Sequence, residues 1–225
     1  MDEVKIIQVK ADVFKANNDR ADNLRKELKS KGVFLINLMS SPGSGKTTTL
    51  TRLIPLLKEK LNVAVMEADI DSDVDAKTLI EKTGIEAIQL HTGGMCHLDA
   101  CMTKQGLDNL ETKDLDLVFL ENVGNLVCPA EFDTGSNLNM MILSVPEGDD
   151  KPLKYPLMFE ITSLVLINKT DVMPYFDFSL ERAKKNIAMR NPKSVVYPVC
   201  SKSGDGIKAV ADYIIKLVED YKKGE

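Results

Sequence analysis

Two kinds of hydrophobic patterning alternate along the chain. Near-continuous apolar runs at 33–39, 63–67, 87–90, 115–121, 138–145, 163–168 and 195–200 have the length and the flanking turns of fully buried strands. Between them, apolar residues recur at helical spacing. Leu24 and Leu28 stand among charges in 19–31, a stretch closed by Gly32, and Leu50, Leu53, Ile54 and Leu57 follow the first core strand. Further helices are predicted near 98–110, 180–191 and 207–222, with another starting near Ala76. Pro55 is expected to interrupt or bend its helix. Apolar strands alternating with helices predict an α/β fold, a largely parallel sheet covered on both faces, with ligand loops at the carboxyl ends of the strands. One domain over 1–225 is expected, with an N-terminal helix at about 10–31. The Pro- and Gly-containing stretch 146–156 is expected to be a flexible loop.

Ser40-Ser41-Pro42-Gly43-Ser44-Gly45-Lys46-Thr47 lies between the first core strand and the next helix, the setting of a phosphate-binding loop. Backbone N–H groups around Gly43, Ser44, Gly45 and Thr48 would cradle phosphates. Lys46 would reach the β- and γ-phosphates, and the Thr47 hydroxyl would ligate Mg²⁺. The pattern G-x-x-x-x-G-K-[ST] is met except at its first position, where Ser40 replaces glycine. Asn168-Lys169-Thr170-Asp171 follows another strand, and an Asp carboxylate there accepts from N1–H and the exocyclic amine of guanine, which adenine does not offer. GTP and GDP are therefore the expected nucleotides. Cys200-Ser201-Lys202 follows the last strand and resembles the S-[AC]-K loop that supports guanine, through Ser201 and Lys202.

The acidic segment 67–75 is either a solvated helix cap or part of a Mg²⁺ and water site. Asp75 and Glu121 are the expected Mg²⁺ partners beside Thr47, and Asp71 the residue positioning the attacking water. Glu121-Asn122-Val123-Gly124 stands where GTPases carry D-x-x-G, so the Gly124 amide is expected to bond the γ-phosphate. Lys46, Asp71 and Gly124 form the expected catalytic set. Cys96-His97 follows a Gly-rich turn expected to open a helix, whose dipole would favour thiolate, and Cys128 lies four positions beyond Gly124. These residues are either small core side chains or three S/N ligands for zinc or nickel, one short of a closed tetrahedral zinc site.

Composition narrows the setting. The chain has 225 residues, 44% of them hydrophobic, and no apolar run approaches the roughly 20 residues of a membrane helix. No secretory signal opens it, so a cytoplasmic setting with reduced thiols is expected. The formal charge of −5, with no basic stripe, argues against nucleic acid as a partner.

Taken together, Ser40–Thr47, Thr92–Ala100, Glu121–Ala130 and Asn168–Asp171 resemble the hydrogenase-maturation GTPases called HypB, over about residues 30–215. The resemblance implies a three-layer P-loop NTPase of the SIMIBI class that acts in nickel insertion into [NiFe] hydrogenase. It implies a homodimer promoted by GTP, with Zn²⁺ or Ni²⁺ held between subunits by Cys96, His97 and Cys128, paired Cys128 thiolates supplying the missing ligand. The implied partners are a nickel-delivery accessory protein and the hydrogenase large-subunit precursor. The Cys-rich N-terminal motif and the His-rich stretch of some members are absent: Cys96 is the first cysteine, and His91 and His97 are the only histidines. Lys154 is a candidate for reaching a nucleotide across the dimer. A urease-type nickel GTPase would carry Cys-Pro-His where Cys96 and His97 are adjacent, and a P-loop kinase with structural cysteines would not need the guanine-reading Asp171.

Overall fold

The computed structural model describes residues 9–69 and 74–224. Asp71 lies outside them. Seven strands form one sheet: β1 (Phe34–Ser40), β2 (Val63–Asp69), β3 (Glu86–His91), β4 (Leu117–Glu121), β5 (Leu138–Ser144), β6 (Leu164–Asn168) and β7 (Val195–Pro198). Their order is β3-β2-β4-β1-β5-β6-β7, and every pairing is parallel. A parallel sheet buried on both faces needs apolar residues at successive positions, and β1, β4 and β6 are buried along their whole length.

Helices cover both faces. On β1, Phe34, Ile36 and Leu38 pack toward α2 (Lys46–Leu57), α3 (Val74–Thr83) and α9 (Ile207–Lys223). Leu35 on the opposite face meets α1 (Val9–Lys31) through Leu24 and Leu28, beside α4 (Ala100–Asp108). Met39, Met141 and Val165 complete that face with α5 (Cys128–Glu131), α7 (Pro156–Glu160) and α8 (Leu180–Arg190). The expected three-layer α/β architecture is what the chain adopts.

The structure changes two local expectations. Pro55 does not interrupt α2, which continues to Leu57. In the final turn a proline forfeits one backbone bond, and the complete burial of Leu53, Ile54 and Leu57 outweighs it. The stretch 146–156 is not an open loop but a 3-10 turn at Val145–Glu147, α6 (Lys151–Lys154) and the start of α7. Asp149 anchors it: buried, it accepts from the Ser179 N–H at 2.7 Å and from Arg182 Nε at 2.9 Å.

Candidate functional site

The carboxyl ends of β1, β2, β4 and β6 converge where the strand order changes sides of β1. From β1 the chain enters the phosphate loop, and left-handed backbone at Gly43 (φ 72°) and Gly45 (φ 102°) turns it into α2. A Cβ at Gly45 would also lie 2.6 Å from Asn168 Nδ2. Ser40 does not need a left-handed backbone. It is fully buried and donates Oγ–H to the Ser41 carbonyl at 2.8 Å, so serine serves at this position.

The segment Asn168–Asp171 is tied directly to this loop. Asn168 donates to the Ser44 carbonyl at 2.9 Å and accepts from the Ser201 N–H at 3.0 Å, while Lys169 donates to the Gly43 carbonyl at 2.6 Å. Thr49 and Ser201 share a buried hydroxyl contact at 2.7 Å. A cavity of about 400 Å³ opens between them, lined by Gly45, Thr48, Asn168, Lys169, Asp171, Ser201 and Lys202. Every residue expected to hold the nucleoside end borders this cavity, joined by Cys200 and Val172.

Where the phosphates would lie, Glu67, Asp75 and Glu121 bring carboxylate oxygens within 4.8 Å of one another. The strand register explains two of them, since Glu67 on β2 pairs with Glu121 on β4. Glu67 was not among the expected ligands, because its place beside Glu121 depends on a strand pairing that local sequence does not reveal. Lys46 Nζ lies 3.9 Å from Glu121 Oε1, and Glu121 is 1% exposed. Burial pushes the Glu121 carboxyl up to about 8. Lys46 and a hydrogen bond with Thr47 act against the shift, and Glu67 and Asp75 add to it. Three crowded carboxyl groups beside a phosphate loop offer the oxygen donors that a hard divalent cation takes.

Beyond β4 the chain returns to the phosphate loop. A Cβ at Gly124 would lie 3.2 Å from Pro42 Cα, N and Cγ, so the glycine permits a close approach of the two segments. Four positions on, Cys128 begins α5 in the neighbourhood of Cys96. The neighbouring Cys128, followed by burial, pushes the Cys96 thiol above its ordinary range. The expected thiolate at a helix start is corrected: α4 begins at Ala100, capped by Asp99, which accepts from the Met102 N–H at 2.8 Å. Cys96 therefore lies outside the first turn, where the dipole acts. His97 Nδ1 is 3.9 Å from Cys96 Sγ, and its ring stacks on Phe132 at 3.7 Å and 13°. Burial holds its pKa down against Asp99 and Glu131, favouring the neutral, ligating imidazole. Two thiols and an imidazole suit a borderline or soft ion such as zinc or nickel. They do not close as tightly as the carboxylates, which are the one group of three or more such side chains among the described residues with ligand atoms mutually within 4.8 Å. Lys154 is exposed and pairs with Asp150 at 2.6 Å.

Fold and site together define a P-loop nucleotide-binding protein. The CobW/HypB/UreG nucleotide-binding domain model matches residues 34–198. The chain belongs to the HypB family of hydrogenase maturation factors. It is 45% identical over 203 residues to hydrogenase maturation factor HypB of Azotobacter chroococcum, covering 90% of this chain and 66% of that protein. The crystal structure of HypB from Helicobacter pylori in complex with nickel superposes with a TM-score of 0.84 at 34% identity, covering 93% of this chain and 96% of that one. HypB from Archaeoglobus fulgidus gives 0.83 at 32% identity, covering 91% and 99%. Among the described residues no helix is long and apolar enough to cross a membrane.

Proposed function

We propose that the chain is a GTP-hydrolysing switch that controls a nickel or zinc site during [NiFe] hydrogenase maturation. The observation that carries this reading is the path from Glu121 to Cys128. It begins in the carboxylate cluster beside Lys46, approaches the phosphate loop at Gly124 and ends at Cys128, the neighbour of Cys96. Gly124 and Cys128 are at most roughly 14 Å apart even when extended, so a shift at one is felt at the other.

In this reading the backbone N–H groups of 43–48 and Lys46 hold the phosphates, while Asp171 accepts from the guanine edge with Asn168, Lys169, Ser201 and Lys202 framing the base. Thr47, Asp75 and Glu121, with Glu67 beside them, would hold Mg²⁺, which supplies charge neutralisation at the β- and γ-phosphates. Asp71 orients the attacking water, and the Gly124 N–H bonds the γ-phosphate until hydrolysis releases it. Cys96, His97 and Cys128 take up Zn²⁺ or the nickel cargo, and a GTP-promoted homodimer lets the Cys128 thiols of two subunits complete the donor set. A nickel-delivery protein and the hydrogenase large-subunit precursor would stand on either side of this transfer, in the cytoplasm.

Phosphate release from GTP and ATP by the wild type and Lys46→Ala tests the enzymatic half. Turnover of GTP alone, lost in Lys46→Ala, is expected. Equal turnover of ATP would overturn the assignment of the base-reading segment.

A further inference from the structure

The two segments that bear Cys96-His97 and Cys128 are far apart in sequence, and α1 packs against both. A single buried residue ties them together. Asn17 on α1, 5% exposed, accepts from the N–H of Ala100, the first residue of α4, at 3.0 Å. Its Nδ2 donates to the carbonyl of Asp133, just beyond α5, at 2.8 Å. A carboxamide is suited to this bridge because it presents an acceptor and donors on one short side chain. Phe132, next to Asp133, lies between His97 and α1: its ring stacks on the imidazole and meets Phe14 of α1 at 5.0 Å and 42°. Arg25, farther along α1, donates Nε–H to the Ser136 carbonyl at 3.0 Å and pairs with the Asp133 carboxylate.

We propose that α1 positions the metal centre, with Asn17 setting the separation of the two thiols and Phe132 setting the plane of His97. An imidazole ligates through a nitrogen lone pair lying in the ring plane, so a face-on phenyl leaves the ring edge free and fixes the direction in which the nitrogen points. The Asn17 bridge acts on the sulfur atoms in the same way, since it holds the two segments that carry them at one spacing. Neither side chain is a ligand. Both act as the surroundings of metal ligands commonly do, by orienting donors.

This inference rests on Cys96, His97 and Cys128 being the metal donors, and the test separates the two claims. Zn²⁺ affinity is measured by competition with a chromophoric chelator, and Ni²⁺ binding by its thiolate charge-transfer absorption. The proteins are the wild type, Cys96→Ala, Asn17→Leu, Asn17→Asp, Phe132→Leu and Phe132→Tyr, each with its GTP affinity recorded as a control for folding. Asn17→Leu and Phe132→Leu are expected to weaken Zn²⁺ binding about 10-fold or more and to shift the Ni²⁺ band, with GTP affinity unchanged. Phe132→Tyr, which keeps the ring face, is expected to retain the wild-type affinity and spectrum. Asn17→Asp keeps the acceptor for Ala100 and loses the donor to Asp133, so it is expected to show the same defect should Asn17→Leu fail to fold. Wild-type affinity and spectrum in both Asn17→Asp and Phe132→Leu, beside a defective Cys96→Ala, would overturn the positioning role. Undiminished binding by Cys96→Ala would overturn the donor assignment and the positioning role with it.

Discussion

Asp171 borders the cavity beside the phosphate loop, and its replacement is the most direct probe of nucleotide choice. In Asp171→Asn the acceptor pair becomes one acceptor and one donor. One bond to guanine is lost and the other loses its charge assistance, together worth about 3 kcal/mol or 10²-fold in GTP affinity. The xanthine nucleotide, whose C2 carbonyl accepts where guanine donates, should bind the variant better than GTP does, as nucleotide competition would reveal. Glu121 gives a second expectation at this scale. With its carboxyl pushed up to about 8 by burial, the folded protein holds a proton that the unfolded chain releases near 4.5. The resulting stability is full below about 4.5 and is lost as pH climbs toward 8, because the unfolded state ionises first. In EDTA, the urea midpoint of the wild type should fall across that window, while that of Glu121→Gln should fall less. Parallel pH profiles for the two proteins would contradict the burial account.

From the end of β4 across β1 to β5 runs a line of amides, buried at Asn122 and Asn37 and half-buried at Asn139. Asn122 donates to Asn37 at 3.0 Å, Asn37 donates to Asn139 at 3.0 Å, and Asn139 donates to the Ile161 carbonyl at 3.2 Å. Asn122 also accepts from the Val123 N–H at 2.9 Å, which fixes the exit of β4 toward Gly124. Replacing Asn37 with Leu strands partners on both sides, and a loss of about 1–3 kcal/mol in urea unfolding is expected. A change within about 0.5 kcal/mol would mean that the line contributes little. Elements of this kind mark how far local sequence reaches. The phosphate loop and Asn168–Asp171 were legible because their chemistry is written in consecutive residues at a strand end. Asn37 sits in an apolar run with no local sign of a partner. Glu67 becomes a neighbour of Glu121 only through the β2–β4 register, and Phe132 meets His97 only through the packing of α5 beside the turn before α4. The placement of β1 between β4 and β5, which gathers the strand ends into one site, is likewise a matter of pairing rather than of period.

At the scale of the whole molecule, the phosphate loop, the exit of β4 and Cys128 form one continuous stretch of structure, and in the proposed reading three S/N donors per chain give a second copy a reason to join. Sedimentation of the metal-free protein should show a monomer with GDP and a dimer with a nonhydrolysable GTP analogue, and Lys46→Ala should stay monomeric with either. Dimerisation of Lys46→Ala at wild-type strength would detach assembly from the phosphate loop. In the proposed switch the γ-phosphate reaches the thiols through Gly124. Titration of Zn²⁺, and separately of Ni²⁺, into the protein bound to the GTP analogue and to GDP measures that coupling. A coupling free energy of about 1–3 kcal/mol predicts affinities differing between the two states by roughly 5- to 150-fold, with a changed stoichiometry per chain as the dimer shares its site. Equal affinity and equal stoichiometry in both states would contradict the account.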